Sequence, residues 1–311
     1  MNKKFRMMIA AIAIVGTQFF MNPVDAEKFS QEKYQTLTAE IEKYPDAAIT
    51  YIDRGEYLTE AEFKSYAETK KFLDQAYADF SKAIEKNPES SRAYSSRGKL
   101  AVKMVDLALK ASNASEENKL IMRRLEILKV AMGDYNKAIE LKPNDGGYRF
   151  NRAFLYRDLE MYDESIKDFS ACIDLGYTLD GIIYVNRGTT YWLASNFSNA
   201  IEDCNTAIEI FTPVRAIPEC KYWLGRAYFW KAKSHESLKE YDDAINDYNR
   251  AIENDSENKI AIWNCALLYE KKLKNYESAL RYYSWYSSLD PADKDAQKAK
   301  QRMEKKLAKS K

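Results

Sequence analysis

Ala83-Ile-Glu-Lys-Asn-Pro88 returns as Ala138-Ile-Glu-Leu-Lys-Pro143. Degraded copies stand at Cys172–Tyr177, Ala207–Thr212 and Ala251–Ser256. A motif that recurs along a chain marks a stack of small units, each unable to bury its apolar face alone. The copies have a shared upstream partner. Tyr51-Ile-Asp-Arg54-Gly55, Tyr94-Ser-Ser-Arg97-Gly98 and Tyr184-Val-Asn-Arg187-Gly188 follow one pattern, and Arg149-Phe-Asn-Arg152-Ala153 is a weaker copy. Between the two halves lies an aromatic-x-x-Ala/Ser turn, at Tyr162–Ser165, Phe197–Ala200, Tyr241–Ala244 and Tyr276–Ala279.

Apolar positions recur at helical spacing, as in Phe80-Ala83-Ile84 and Tyr248-Ala251-Ile252. Gly or Ala after each Arg lets two helices approach closely. The aromatic before each A-I-E (Phe80, Tyr135, Phe169, Tyr248 and Tyr283) fills the gap between neighbouring hairpins. Proline closes the second helix of several units. The expected fold is therefore all-α, with antiparallel helix pairs stacked along the chain.

These motifs resemble the tetratricopeptide repeat, whose pattern is W-x2-L-G-x2-Y, then A-x3-F, then P, over about 34 residues. Tyr184, Gly188 and Tyr191 match its first part, Ala200 and Ala207 continue it, and Trp263 takes the Trp position of the last repeat. The resemblance implies a right-handed α-solenoid of six repeats, 49–88, 89–143, 144–177, 178–212, 213–256 and 257–291. A helix or half-repeat at 27–48 precedes them, and a Lys-rich capping helix and tail at 292–311 follow. Three repeats are long. Extra residues at Glu60–Lys70 predict longer helices in the first repeat. Those at Lys103–Lys129 predict an elongated hairpin in the second, with a polar break at Ser112–Ser115 and Ser115 as N-cap. The fifth gains Pro213–Tyr222, bracketed by Pro213 and Pro218, and holds a long helix Pro218–Leu238.

Residues 1–26 are of another kind. Lys3, Lys4 and Arg6 precede an uncharged apolar run, Met7–Phe20, and Val24-Asp25-Ala26 has the small-x-small form of a cleavage site. This predicts a bacterial secretory signal peptide cleaved between Ala26 and Glu27, and a periplasmic or extracellular protein. If the segment is not cleaved, it predicts a membrane anchor.

Removal of the leader takes the net charge from +1 to −1, so no global field draws the chain to nucleic acid. The four cysteines, Cys172, Cys204, Cys220 and Cys265, show no C-x-x-C or other paired spacing, and no zinc site is expected of them. Cys172 takes the slot of Ala83 and Ala138, a small core position. Cys204 and Cys220 flank Thr212 symmetrically and are the candidate disulfide of an exported chain. The one histidine, His235, falls at a packing or surface position of a long helix. The acidic pairs Asp242-Asp243 and Glu116-Glu117 fit helix starts, where negative charge meets the helix dipole. No nucleophile, metalloprotease or phosphate-loop motif occurs. The expectation is a non-enzyme without metal or cofactor.

The resemblance implies that the first helix of each pair lines a groove. It places there Arg92, Ser95 and Lys99, then Phe150, Phe154 and Arg157, then Ile182, Val185, Thr189 and Trp192. Farther on come Arg226, Phe229 and Lys233, then Asn264 and Lys271. An apolar centre flanked by basic residues suits a protein or peptide with an apolar anchor and acidic neighbours. One subfamily clamps acidic chaperone tails. Asn151 and Asn186 resemble its asparagine, but Ser95, Lys99 and Ile182 depart from the rest of its pattern. The leading expectation is an exported, non-enzymatic adaptor for a protein or peptide partner. Alternatives are a tethered, self-associating envelope component and a glycan- or peptidoglycan-binding helper.

Overall fold

The computed structural model describes residues 28–111, 117–177 and 181–309. The predicted signal peptide with its Ala26–Glu27 cleavage point, the Ser112–Ser115 break and its Ser115 cap lie outside these residues. Among the described residues the regular elements are helical, apart from one isolated bridge between Lys28 and Glu62. No helix there is long and apolar enough to cross a membrane.

The chain divides into two compact units, 1–177 and 178–311. The first holds α1 (Gln31–Lys43), α2 (Ala48–Glu60), α3 (Tyr66–Lys86), α4 (Ser91–Ala111), α5 (Glu117–Leu141), α6 (Gly146–Asp158) and α7 (Tyr162–Asp174). The second holds α8 (Gly181–Leu193), α9 (Phe197–Phe211), α10 (Pro218–Leu238), α11 (Tyr241–Asn254), α12 (Lys259–Leu268), α13 (Tyr276–Leu289) and α14 (Lys294–Lys309). The pairs α2/α3, α4/α5 and α6/α7 form the first three repeats, and α8/α9, α10/α11 and α12/α13 the last three.

The repeat signals act as read. Tyr162, Phe197, Tyr241 and Tyr276 each open the second helix of a pair. Helices α3, α5 and α13 stop two residues before Pro88, Pro143 and Pro291. The elongation of the first repeat differs from expectation: α2 ends at Glu60, and only α3 is long. Residues 61–65 instead lead out of the helix pair, and Glu62 O accepts the Phe29 amide at 3.1 Å. That contact uses the extra chain to hold the N-terminal segment.

Phe80, Tyr135, Phe169, Tyr248 and Tyr283 are fully buried, each on the second helix of its pair. The small residue opposite makes room for the ring. A Cβ on Gly55 would lie 2.7 Å from the Phe80 ring, and one on Gly98 would lie 3.2 Å from Tyr135. In the fourth repeat Cys204 takes the ring's place, and a Cβ on Gly188 would lie 3.4 Å from its Sγ.

A polar staple accompanies this core position in the first four repeats. The arginine of each first helix forks onto the Asp that precedes the ring, or precedes Cys204 in the fourth: Arg54–Asp79, Arg97–Asp134, Arg152–Asp168 and Arg187–Asp203. All eight Nε and Nη2 bonds span 2.7–2.9 Å. In the first unit the remaining Nη1 reaches the second helix of the preceding pair. Arg54 donates to Thr38 (3.0 Å), Arg97 to Ser81 (3.3 Å) and Arg152 to Asn136 (2.7 Å). Each guanidinium thus joins three helices. Burial pushes the Asp203 carboxyl above its usual range, against the pull of Arg187.

The pattern decays toward the C-terminus. In the fifth repeat Lys231 replaces the arginine, 3.5 Å from Asp247. In the sixth Cys265 and Tyr282 stand in the Arg and Asp slots, and the Tyr282 hydroxyl donates to Asn249, the slot of Ser81 and Asn136. A reversed staple closes the end. Glu270, in a π-helical turn at Tyr269–Leu273, accepts both arms of Arg302 from α14 at 2.8 and 2.6 Å, and the Tyr283 hydroxyl at 2.8 Å. Burial works against its charge, yet Arg302 and Tyr283 hold its carboxyl down at about 2. Ala296, Ala299 and Met303 seat α14 on the core, as their spacing predicts.

The two kinds of helical glycine give a paired prediction. Gly55→Ala should destabilise the protein by about 1–3 kcal/mol, because the methyl overlaps Phe80. Gly133→Ala, where nothing lies within 4 Å of the added Cβ, should stabilise by roughly 0.5–1 kcal/mol. Urea denaturation of the two variants reads both signs.

Candidate functional site

In the first unit, the basic residues expected in a groove are answered by the neighbouring helix. Arg92 on α4 bonds Asp53 (3.0 Å) and Glu56 (2.5 Å) on α2. Ser96 donates to Glu56 at 2.7 Å, and Lys99 pairs with Glu60 at 3.2 Å. The Lys103 ammonium reaches the Thr59 carbonyl. This face is a self-neutralised seam between first helices.

Phe150, Phe154 and Phe169 form an edge-to-face cluster, with centroids 4.8 Å (Phe150–Phe154), 5.4 Å (Phe154–Phe169) and 5.8 Å (Phe150–Phe169) apart. Phe154 is 4% exposed and Arg157 3% exposed, with the guanidinium 4.8 Å from the Phe154 centroid. Both were expected to line a groove, and both are interior. Helical spacing assigns a face but does not tell a groove wall from the layer beneath it. Val185 and Thr189 are fully buried for the same reason. Asn186, the clamp-like asparagine, is also buried and donates to the Ile182 carbonyl at 2.8 Å, so it is not presented to a ligand.

The expected Cys204–Cys220 disulfide is not formed: all four cysteines are free thiols. Cys204 faces Gly188 of α8 as the fourth repeat's core residue, whereas Cys220 packs, half-buried, against the cluster of Val185, Ala207 and Phe211. Burial raises the thiols of Cys172 and Cys265 to about 12, and Cys172 donates to the Gly146 carbonyl at 3.2 Å. These are inert packing groups.

The second unit brings the remaining candidates together. Arg226, Phe229 and Lys233 follow one another along α10 at helical spacing, and Trp192 joins them from α8. The Trp192 indole donates to the Lys233 carbonyl (3.2 Å) and to Ser237 Oγ (3.3 Å). Its ring lies 5.2 Å from Trp230, with the Lys233 ammonium 5.4 Å from its centroid. The Arg226 guanidinium lies 5.3 Å from Trp223 and 5.8 Å from Tyr222, and donates to the Tyr222 hydroxyl at 3.2 Å. Phe229 packs edge-on to Trp230 and Tyr248.

Tyr222 is 40% exposed, and Trp192, Trp223, Arg226, Trp230 and Lys233 are half-buried. The result is a pre-ordered stripe of aromatic faces interleaved with two cations. Tyr222, Trp223 and Trp230 were missing from the expected site. Their recurrence at three- and four-residue steps with Arg226 was the signal that pointed to them.

The tetratricopeptide repeat family is matched at residues 147–175 and 222–258, the third repeat and the core of the fifth. The chain carries tetratricopeptide repeats. Heat shock protein STI1 of Saccharomyces cerevisiae is 30% identical over 111 residues, which span 36% of this chain and 17% of that protein. The solved structure of PilF from Pseudomonas aeruginosa aligns over 84% of this chain and 98% of its own, with a TM-score of 0.55 and 17% identity. A chain of the Cut9–Hcn1 hetero-tetramer of the APC/C aligns over 97% of this chain and 49% of its own, with a TM-score of 0.56 and 15% identity. The two structural likenesses establish the all-helical repeat fold.

The burial difference within the expected groove is measurable. Phe154→Ala should cost about 3–5 kcal/mol of stability, as a buried aromatic truncation does. Arg92→Ala, at an exposed ion pair, should cost no more than about 1 kcal/mol. Chemical denaturation of the two variants checks the order.

Proposed function

We propose that this tetratricopeptide-repeat chain is a non-enzymatic interaction scaffold, and that it holds a protein or peptide segment on the α10 stripe together with Trp192. The observation that carries this reading is the half-buried set Trp192, Trp223, Trp230, Arg226 and Lys233, held in place by its own contacts. Rigid aromatics and arginine concentrate binding energy because little entropy remains to be lost when a partner docks. An apolar anchor would lie against the indoles, and acidic groups beside it would meet the two cations. The seam on α2 and α4 carries no tryptophan and its cations face Asp53, Glu56 and Glu60; on α10 Lys233 is paired too, with Glu236 at 3.0 Å, so the indoles are what distinguish the two faces.

Export of the mature chain from Glu27 is part of the proposal and rests on the pattern of residues 1–26. The expected partner is therefore an envelope or extracellular protein.

Affinity capture from envelope and medium fractions, using full-length protein tagged at its C-terminus, tests the reading. A bait mass beginning at Glu27 is expected. One partner should be lost with Trp192→Ala or Arg226→Ala and retained with Arg92→Ala, all three baits giving the same circular-dichroism spectrum. A partner retained by the Trp192 and Arg226 variants, or lost only with Arg92→Ala, would reject the α10 stripe.

A further inference from the structure

The turn between α10 and α11 gathers a second group of functional side chains, away from the aromatic stripe. His235 lies in the last turn of α10, Glu240 is the N-cap residue of α11, and Asp243 stands in the first turn of α11. One ligand atom from each can be chosen so that all three lie within 4.8 Å of one another. The His235 Nδ1 and a Glu240 carboxylate oxygen are 2.5 Å apart.

The backbone under the group is tightly specified. Lys239 takes the left-handed conformation with φ 67°, and its amide bonds the Glu236 carbonyl at 3.1 Å. The Glu240 amide bonds the His235 carbonyl at 2.9 Å. Such a closed C-cap fixes the direction in which the chain leaves the helix. It thereby fixes the distance from the imidazole to the two carboxylates that follow.

The other ring nitrogen has a partner of its own. His235 Nε2 lies 3.6 Å from an oxygen of Asp247, which is 7% exposed and is approached on its other oxygen by Lys231 at 3.5 Å. The buried Asp247 carboxylate lies behind Nε2, beyond hydrogen-bond length but on the side from which a carboxylate orients many metal-binding histidines. Nδ1 faces Glu240. Charge points in the same direction. Three carboxylates surround one imidazole, and among the described residues no lysine or arginine is within ion-pair distance of Glu240 or Asp243.

We propose that His235 Nδ1, Glu240 and Asp243 bind a first-row divalent cation of the Zn2+ class, with Asp247 orienting the imidazole. The donor set is one nitrogen and two carboxylates, which suits zinc, cobalt or nickel rather than the oxygen-only preference of calcium and magnesium. The two carboxylates neutralise the ion's charge, and water completes its coordination. Bonds of about 2.0–2.2 Å are reached when Glu240 swings off the imidazole to admit the ion. The cysteine spacing that argues against zinc is silent here, because the ligands follow a His-x4-Glu-x2-Asp spacing across the turn between α10 and α11. Bound metal would clamp α10 to α11 beside Asp247, where Lys231 takes the place of the arginine fork.

The test uses full-length protein freed of metal. Titration with Co2+ should give a visible ligand-field spectrum with nitrogen coordination, at one ion per chain, displaced by Zn2+ and not by Mg2+. Zn2+ should raise the unfolding temperature, since a ligand of the folded state stabilises it. His235→Gln should abolish the spectrum. Asp243→Asn, an exposed substitution that spares the core, should weaken binding by roughly tenfold or more. No cobalt spectrum in the wild-type protein would overturn the proposal and leave His235–Glu240 a simple ion pair. A spectrum and affinity unchanged by Asp243→Asn and His235→Gln would overturn it equally, by placing the ion elsewhere.

Discussion

The structure depends on a guanidinium that reaches three helices at once. In the first unit, Arg54, Arg97 and Arg152 each bind an Asp of their own second helix with Nε and Nη2, and a Thr, Ser or Asn of the preceding second helix with Nη1. An apolar stripe alone tolerates sliding, because one methyl contact resembles the next. A planar fork with two bonds of fixed direction does not. Beside each fork an aromatic ring lies against a glycine or alanine, so polar and apolar contacts select the same register. The fork's contribution is to specificity as much as to stability. Burial raises the Asp203 carboxyl despite its arginine, a sign that desolvation takes back much of the attraction.

Departures from this scheme gather in the fifth and sixth repeats. The last repeat exchanges the pair for Cys265 and Tyr282, and the capping helix restores a fork of opposite sense through Glu270 and Arg302. The fifth repeat gives up the arginine for Lys231. That repeat also carries the aromatic stripe of α10 and the His235 cluster. Its first helix, at 21 residues against 13 in α8, extends beyond the pair packing and supplies surface for both.

Much of the fold is legible in the sequence because its determinants are local and repeated. Tyr162, Phe197, Tyr241 and Tyr276 open helices, prolines close several of them, and the long helix Pro218–Leu238 starts at its proline. What escapes is what depends on partners distant in sequence. Arginine is visible in Y-x-x-R-G, but its Asp lies 25 residues away in the first repeat, 37 in the second and 16 in the third and fourth. Insertions hide the common slot. The site is less legible still. Arg157 and Trp192 both lie five residues after their fork arginines, yet one is interior and the other half-buried, because burial is decided by the neighbouring helix. Arg92 reads as a free cation until Asp53 and Glu56 are seen beside it.

A double-mutant cycle on Arg54 and Asp79 tests the central claim most directly. If the fork sets helix register, Arg54→Met and Asp79→Leu should each cost about 3–5 kcal/mol, since each strands a buried charge. The double variant should then cost far less than their sum. Single costs below about 1 kcal/mol that simply add would contradict the account, and would leave the rings and their glycines as sufficient to hold the stack.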